Sequence, residues 1–325
     1  MKKENHSVPD RKFLSPLLKK WGLEITQILP HALIPGSPER TINRVVITTP
    51  GGQSFVLEEI SPESLPRKRE ISSFLRILAD HGLSCIHPYI CNHRGDTITA
   101  YHQRYWLLRD YIQGIALDRA AYLHDSWRGK ALGDFLIHLH HVSAQHDFPF
   151  QESFFSIVDF IRKFMKTLQI FQPKAAAEIT PVFAFLEKNF FAQHDALPGG
   201  FSHGDYHPLN IVWSEREIVS VIDWEFCGRK PEIYDLALLT GCIGSEDPQA
   251  LKGPLTQALL HTIKKEKIYA ESSMAQLFNM VLALRFAWLS EWLRGKDHDM
   301  IRLEMDYMTL LWQNHKAIQS VWSSF

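Results

Sequence analysis

Several classes of protein are excluded by what this 325-residue sequence lacks. It has only four cysteines, at positions 85, 91, 227 and 242, and none of them is spaced as C-x-x-C. That usage excludes a disulfide framework and a cysteine zinc site, and it favours thiols in a reducing compartment. No run approaches the roughly 18 apolar residues of a membrane span, and no apolar segment follows the basic N-terminal residues as in a signal peptide. We therefore predict a cytoplasmic protein with no membrane partner.

The sequence also lacks an excess of charge of either sign. Lys and Arg number 35 against 36 Asp and Glu, which gives a formal net charge of -1. Nothing in this balance indicates a nucleic-acid partner. Hydrophobic residues make up 45% of the chain, which is ordinary for a globular protein of about two domains.

Hydrophobic periodicity divides the chain into a β-rich front and a helical back. In the front, two β-rich runs flank Pro50-Gly51-Gly52-Gln53, which is typical of a hairpin turn, and a helix is predicted to end at Gly82. From about residue 115 most segments have helical spacing, and the block 201–225 interrupts them with a loop and two short strands. We predict a two-lobed α+β protein with domains 1–110 and 111–325.

The block 201–225, FSHGDYHPLNIVWSEREIVSVIDWE, is the most informative part of the chain. Asp205 is followed five residues later by Asn210 and, beyond a predicted hairpin, by Asp223. Kinases need these residue types: one carboxylate accepts a proton from the attacking hydroxyl, and an Asn and a second carboxylate hold Mg²⁺ against the ATP phosphates. The block predicts a kinase that uses ATP and Mg²⁺. A transition-metal site at His203, Asp205 and His207 is the alternative, although Pro208 argues against the extended segment that it would require.

The string HGDYHPLN followed by IDWE resembles the aminoglycoside phosphotransferase, choline kinase and type II homoserine kinase superfamily, over residues ~30 to ~320. The resemblance implies a protein-kinase-like fold, with a small antiparallel-sheet N-terminal lobe that binds the nucleotide and a large, mainly helical C-terminal lobe. It also implies a role for each residue of the motif. These roles are catalysis by Asp205 with His203 bracing the loop, Mg²⁺ binding by Asn210 and Asp223, and structural support from His207 and from Asp235 at the start of a helix.

The resemblance implies nucleotide contacts in the front lobe as well. Ser37 and Asn43 match polar positions of the loop that lies over the phosphates, Glu70 matches the acid of the first helix, and Asp110 and Ile112 lie in the predicted hinge.

The front lobe departs from the family at one place. Family members usually carry Lys or Arg on the third strand, whereas FVLEEI places Glu58 and Glu59 there. A carboxylate that faced the phosphates would repel them. Either Glu58 points away and another cation supplies the charge, or the register differs, or catalysis is weakened. The candidate cations are Arg40, Arg44, Arg67 and Lys68.

The phosphate acceptor is the least visible property of the sequence. Arg285, Trp288 and Glu291 lie on one predicted helix and are candidate substrate-binding residues, for example as an aromatic and acidic wall for a cation. Packing of the tryptophans in a core is the alternative interpretation. We predict transfer of the γ-phosphoryl group to a hydroxyl of a small molecule. The two glutamates motivate two alternatives, a nucleotide-binding pseudokinase-like regulator and a protein Ser/Thr kinase, although no D-F-G/A-P-E segment follows Asp223.

Overall fold

The structure, a computed structural model, describes residues 9–36, 41–146 and 155–325. The described helices and strands, in chain order, are α1 (Arg11–Leu18), β1 (Gln27–Leu29), β2 (Asn43–Thr48), β3 (Ser54–Ile60), α2 (Leu65–Asp80), β4 (Thr99–Tyr101), β5 (Arg104–Asp110), α3 (Ser126–Ala144), α4 (Ile157–Phe171), α5 (Pro173–Asn189), α6 (Phe191–His194), β6 (Gly199–Ser202), β7 (Ile211–Trp213), β8 (Ile218–Val221), β9 (Gly228–Pro231), α7 (Tyr234–Glu246), α8 (Pro254–Glu266), α9 (Glu271–Ala275), α10 (Leu277–Gly295), α11 (His298–Gln313) and α12 (His315–Ser324). Within these ranges, every helix is too short or too polar to span a lipid bilayer.

Contacts divide the chain into two units that are not continuous in sequence. Unit 1 comprises Met1–Ile115 and Leu209–Glu225, and unit 2 comprises Ala116–Pro208 and Phe226–Phe325. The boundary after residue 110 that we predict from the sequence assigns 209–225 to the second domain, whereas these residues pack within unit 1. The residues of the predicted catalytic motif are therefore divided between the two units. Asp205 belongs to unit 2, whereas Asn210 and Asp223 belong to unit 1.

Unit 1 is built on a five-stranded antiparallel sheet with the strand order β1-β2-β3-β5-β4. The predicted hairpin is confirmed, since β2 and β3 pair in antiparallel register on either side of residues 49–53. Successive side chains of a strand point to opposite faces of a sheet, so each strand contributes every second residue to a given face. One face of the sheet, helix α1 and the segment after α1 together form a hydrophobic core of the buried residues Leu14, Leu17, Leu18, Trp21, Ile25, Val45, Ile47, Phe55, Leu57, Trp106 and Leu108.

The predicted front-lobe helix is also confirmed, as α2. Its apolar residues Ile71, Phe74, Leu75 and Leu78 are buried, as their helical spacing predicts. Gly82, two residues after the helix, has a positive φ of +91° that suits the reversal of the chain.

Unit 2 consists mainly of helices, together with the two-stranded ladder β6-β9. Helix α7 is almost wholly buried, and α10 is buried from Leu277 to Phe286. These stretches are buried on all sides and consist mostly of apolar residues, which is typical of the centre of a helical unit.

One ion pair lies inside this helical unit. The guanidinium of Arg285 in α10 donates to both carboxylate oxygens of Glu304 in α11, at 2.6 and 2.5 Å. Both side chains are almost completely buried, with exposed fractions of 4% and 0%. Removing one member of a buried pair leaves an uncompensated charge out of water.

We expect Glu304→Gln to lower the free energy of unfolding by about 3 to 5 kcal/mol, because the Arg285 charge then stays buried without its partner. Urea denaturation followed by tryptophan fluorescence measures the loss. Asp306→Asn is the matched control, because Asp306 lies on the same helix and pairs with Arg302 at the exposed surface. That change should have little effect, and equal effects of the two variants would contradict the assignment.

Candidate active site

The ladder β6-β9 brings together the two ends of the segment that carries the predicted motif. Ser202 at the end of β6 is paired with Gly228 at the start of β9. Directly after β6, Gly204 has φ +83°, and a Cβ there would lie 2.1 Å from the carbonyl oxygen of Phe226. Only glycine combines this backbone conformation with so close an approach. The glycine of the motif is therefore required by the backbone course just before Asp205.

A buried carboxylate of α7 holds the same turn. The Oδ2 of Asp235 accepts the backbone N–H of His203 at 2.6 Å, and its Oδ1 accepts that of Gly204 at 2.8 Å. Burial raises the pKa of Asp235 to about 6, against the lowering effects of these two hydrogen bonds and of Lys230. Asp235 lies in the first turn of its helix, as the sequence predicts.

Two neighbouring side chains give the loop further support. His203 is fully buried, and its Nδ1 accepts the backbone N–H of Asp205 at 3.1 Å. The proton of a neutral imidazole then lies on Nε2. Tyr206 is fully buried, stacks on Phe135 and donates its hydroxyl to the carbonyl of Leu132 at 3.3 Å. The Asp205 carboxylate is thus presented from a backbone that is fixed on both sides.

An aromatic group lies next to this carboxylate. His207 Nε2 is 3.6 Å from Asp205 Oδ2, and the imidazole makes an edge contact with Trp288. Trp288 stacks on Trp292, one helical turn further along α10.

The other two residues of the predicted substrate set have different surroundings. Arg285 lies under Trp288 with its guanidinium engaged by Glu304, and Glu291 forms an ion pair with Arg294 at the exposed surface. Of the predicted set, Trp288 is the member that the structure brings near Asp205, through its contact with His207.

In unit 1, the predicted magnesium ligands Asn210 and Asp223 lie at the same end of the β7-β8 hairpin. Asn210 precedes β7 and Asp223 follows β8 by two residues, and the backbone N–H of Ile222 donates to the carbonyl of Asn210 at 3.0 Å. Asp223 has a positive φ of +66°, which is uncommon for residues other than glycine but is adopted by aspartate more readily than by most. The hairpin therefore brings two residues with oxygen ligands close together, as magnesium sites need.

Asp223 also borders a cavity of about 70 Å³ within unit 1. Ile112, one of the predicted nucleotide contacts, lines the cavity. Its charged lining residues are Arg44, Glu58, Lys68, Arg109, Asp223 and Glu225.

The two consecutive glutamates of β3 point to opposite faces of the sheet. Glu58 faces the cavity and is held by Arg109, whose Nε and Nη2 both lie 3.2 Å from its Oε1. Burial favours the neutral acid, but Arg109, Lys68 and Arg44 together keep the pKa of Glu58 below its ordinary value. Glu58, which stands where the family usually has a cation, is therefore itself surrounded by cations.

Glu59 belongs to the opposite face. It accepts a hydrogen bond from Asn43 Nδ2 at 2.6 Å and pairs with Arg104 at 3.5 Å. Asn43, a predicted nucleotide contact, is thus engaged away from the cavity.

Helix α2 presents a cation to the cavity where the resemblance implies an acid. Lys68 is buried and forms an ion pair with Glu225, two residues after Asp223. Arg67 donates to the Glu225 carbonyl at 3.0 and 3.2 Å. Glu70, the predicted acid, pairs with Arg67 at 3.3 Å and does not line the cavity. Helix α2 therefore holds the turn that carries Asp223.

Asp110, another predicted contact, is exposed at the end of β5 and does not line the cavity. The prediction for Ser37 lies outside the described residues. Tyr89 and Arg109 line the cavity and were missed by the sequence reasoning. Arg109 could have been found from strand alternation, because it shares a face of the sheet with Glu58.

Comparisons with known proteins identify the family and the fold of the chain. The sequence profile described as "APH: Phosphotransferase enzyme family" matches residues 37–270, more than half of the chain. A homoserine kinase of Beijerinckia indica is 26% identical over 183 residues, and this alignment covers 54% of each protein. The chain therefore spans about half the length of that relative.

Solved structures show the same fold. Amicoumacin kinase in complex with AMP-PNP, Ca²⁺ and Ami superposes with a TM-score of 0.67 at 15% identity, covering 97% of this chain and 96% of that one. A microcompartment-associated aminopropanol kinase gives 0.68 at 14% identity, covering 95% and 98%. An aminoglycoside phosphotransferase from Alicyclobacillus acidocaldarius gives 0.62 at 13% identity, covering 98% and 95%.

The fold is the α+β protein-kinase-like fold that the sequence predicts. The chain belongs to the APH phosphotransferase enzyme family.

The close approach at Gly204 predicts the effect of a single methyl group. We expect Gly204→Ala to lower the free energy of unfolding by about 2 kcal/mol or more, because φ is positive and the new Cβ meets the Phe226 carbonyl. Gly295→Ala is the control, since nothing lies within 4 Å of a Cβ at the end of α10. Urea denaturation compares the two, and a neutral Gly204→Ala would show that the turn is not constrained.

The pKa of Asp235 predicts a dependence of stability on pH. The pKa of Asp235 is higher in the folded protein than the ordinary value of 3.8. The protonated carboxyl therefore contributes stability that is fully present below pH 3.8 and is lost as the pH rises through about 6. A rise from 3.8 to about 6 corresponds to about 3 kcal/mol. Between pH 4 and 7 the wild type should lose up to this amount relative to Asp235→Asn. Asp159→Asn changes an exposed carboxylate and keeps Asp235, so its stability should follow the pH dependence of the wild type. An Asp235→Asn variant that parallels the wild type would contradict the shift.

Proposed function

We propose that this protein is a kinase that transfers the γ-phosphoryl group of ATP to a hydroxyl group of a small molecule. The observation that carries the proposal is the β7-β8 hairpin, which sets Asn210 beside Asp223 in a chain of the phosphotransferase family. The fixed loop around Asp205 supports it, because a catalytic carboxylate must be held by its surroundings.

In this proposal Asp205 acts on the acceptor. Its carboxylate orients the hydroxyl and takes up the proton as the oxygen attacks the terminal phosphorus, and the bond to the leaving ADP oxygen breaks. Asp235, His203 and Tyr206 hold the loop. Asp205 is therefore already positioned before the reaction, which lowers the entropic part of the barrier.

The donors near Asp223 fit a magnesium ion. Mg²⁺ is usually held by one or two protein oxygens together with substrate phosphates, and Asn210 and Asp223 supply one amide and one carboxylate side chain. A bound Mg²⁺ would neutralise charge that develops on the phosphates. In the described ranges, no group of three or more His, Cys, Asp or Glu side chains is arranged to hold a metal ion. A site completed by phosphates agrees with that finding.

The acceptor is proposed as a small molecule that carries a hydroxyl group. Similar proteins include a homoserine kinase, an aminopropanol kinase and an aminoglycoside phosphotransferase, so homoserine, aminopropanol and an aminoglycoside form the first acceptor panel. Trp288, with Trp292 stacked against it, offers an aromatic surface in the unit that carries Asp205, and this surface would favour a cationic amine.

A second candidate function is a nucleotide sensor without catalysis. It is favoured by the buried Glu58 in the cavity, where the family usually has a cation. Thermal shift with Mg-ATP and ATP turnover over the acceptor panel separate the two functions. Stabilisation by Mg-ATP without turnover on any acceptor would favour the sensor.

Asp205→Asn tests the catalytic proposal. We expect turnover with the best acceptor to fall by about 10²–10⁴-fold, since an amide cannot accept the proton. Nucleotide binding should remain, because the cavity residues are unchanged. Coupled ADP release measures turnover, and calorimetry measures binding.

Asp159→Asn, a change at an exposed helix position, provides the control and should retain full turnover. If Asp205→Asn turned over at the wild-type rate, Asp205 could not be the catalytic carboxylate.

A further inference from the structure

We propose that Arg44, Lys68 and Arg109, gathered around the buried carboxylate of Glu58, form the site that binds the nucleotide phosphates. They would replace the single strand cation that the family usually carries at the position of Glu58. This inference rests on the proposed function and deepens it, because it assigns the phosphate-binding residues of the same site.

The sheet register brings two of these cations to one anion. Arg44 of β2 is the direct cross-strand partner of Glu58 on β3. Arg109 of β5 is paired with Val56, two residues before Glu58, and reaches diagonally to the carboxylate. Residues that face each other directly or diagonally across strands interact on the same face of a sheet. Three neighbouring strands thus place two arginines and one glutamate side by side.

Helix α2 adds the third cation. Lys68 is 3% exposed, and its Nζ lies 3.4 Å from the Tyr89 hydroxyl and in an ion pair with Glu225. Burial disfavours the charge, yet Tyr89, Glu225 and Glu58 together keep the pKa of Lys68 above its ordinary value. Lys68 is therefore a charged ammonium inside the cavity.

Arg44 connects the cations with the predicted magnesium ligand. Its guanidinium donates to the carbonyls of Ile34, Pro35 and Gly36, at 3.1 to 3.4 Å. A Cβ at Gly36 would lie 3.9 Å from both Arg44 Nη1 and Asp223 Oδ2. The arginine and the aspartate therefore approach the same glycine, in the loop that the resemblance places over the phosphates.

The charged side chains that line the cavity are three cations and three carboxylates, and the cations differ in whether a carboxylate pairs with them. Lys68 is matched by Glu225 and Arg109 by Glu58, whereas Arg44 forms no ion pair with any carboxylate of the described residues. Glu58 itself need not repel phosphate, because its charge is engaged by the cations. An incoming phosphate oxygen would accept charge-assisted hydrogen bonds, which are about twice as strong as neutral ones.

The test compares binding of ADP with binding of adenosine, which lacks the phosphates. Calorimetry with Mg²⁺ is carried out on the wild type and on Arg44→Met, a change that leaves no buried carboxylate unpaired. We expect the affinity for ADP to fall about tenfold or more, as for loss of a hydrogen bond to a charged group. The affinity for adenosine should stay within about twofold.

Arg104→Met is the matched control. Arg104 lies on the same strand as Arg109 and also pairs with a glutamate, but Glu59 and Arg104 occupy the opposite face of the sheet. Its removal should leave the ratio of ADP to adenosine affinity unchanged.

The contribution of the lysine is tested with its partner removed as well. Lys68→Met combined with Glu225→Gln takes away both charges, so the variant need not bury an unpaired carboxylate. Circular dichroism verifies that it folds, and we expect the same selective loss of ADP affinity.

The outcomes separate this inference from the function on which it rests. A wild type that binds ADP more tightly than adenosine, with the preference lost in Arg44→Met but kept in Arg104→Met, supports the cation site. If the wild type prefers ADP and both Arg44→Met and Arg104→Met keep that preference, the cation site alone is overturned. If the wild type bound neither ATP nor ADP, the proposed kinase function would fail, and the cation site with it.

Discussion

A carboxylate can stay charged away from water only where cations or N–H donors match it, and three buried carboxylates organise this protein under that constraint. Glu58 is matched by side chains from neighbouring strands and a helix, Asp235 by two backbone N–H groups, and Glu304 by the fork of Arg285. Each match joins segments that are distant in sequence. The buried charges therefore hold together segments that are far apart in sequence. Removal of one partner would lower the stability of the fold, because a buried charge would be left unpaired.

The same constraint explains how the two halves of the motif are held. In unit 2, the Asp235 carboxylate leaves the turn at Gly204 little freedom, so Asp205 is presented in one backbone setting. In unit 1, the ladder of the β7-β8 hairpin supports Asn210 and Asp223, and Lys68 and Arg67 hold the following turn through Glu225. Positioning of this kind is the main contribution of a protein to phosphoryl transfer.

Much of the fold and part of the candidate site could be predicted from the sequence. The β2-β3 hairpin, the helix α2 and the early position of Asp235 in a helix follow from local signals, namely turn residues, periodicity and motif spacing. The front-lobe contacts could not be predicted with the same success. Glu70 pairs with Arg67, whereas Lys68 lies three residues before the buried Ile71, on the face of the helix that lines the cavity. The resemblance assigned the acid of this helix without using that spacing.

The sequence by itself determined the family and the identity of the motif, because HGDYHPLN and IDWE carry their meaning in local spacing. It also determined that consecutive glutamates must face opposite sides of a strand. Only the tertiary structure decided which glutamate meets the cavity, that Arg109 is its partner, and that Arg285 is engaged by Glu304. These are encounters between strands and helices far apart in the chain, and their energies depend on burial and distance, which a linear sequence does not contain.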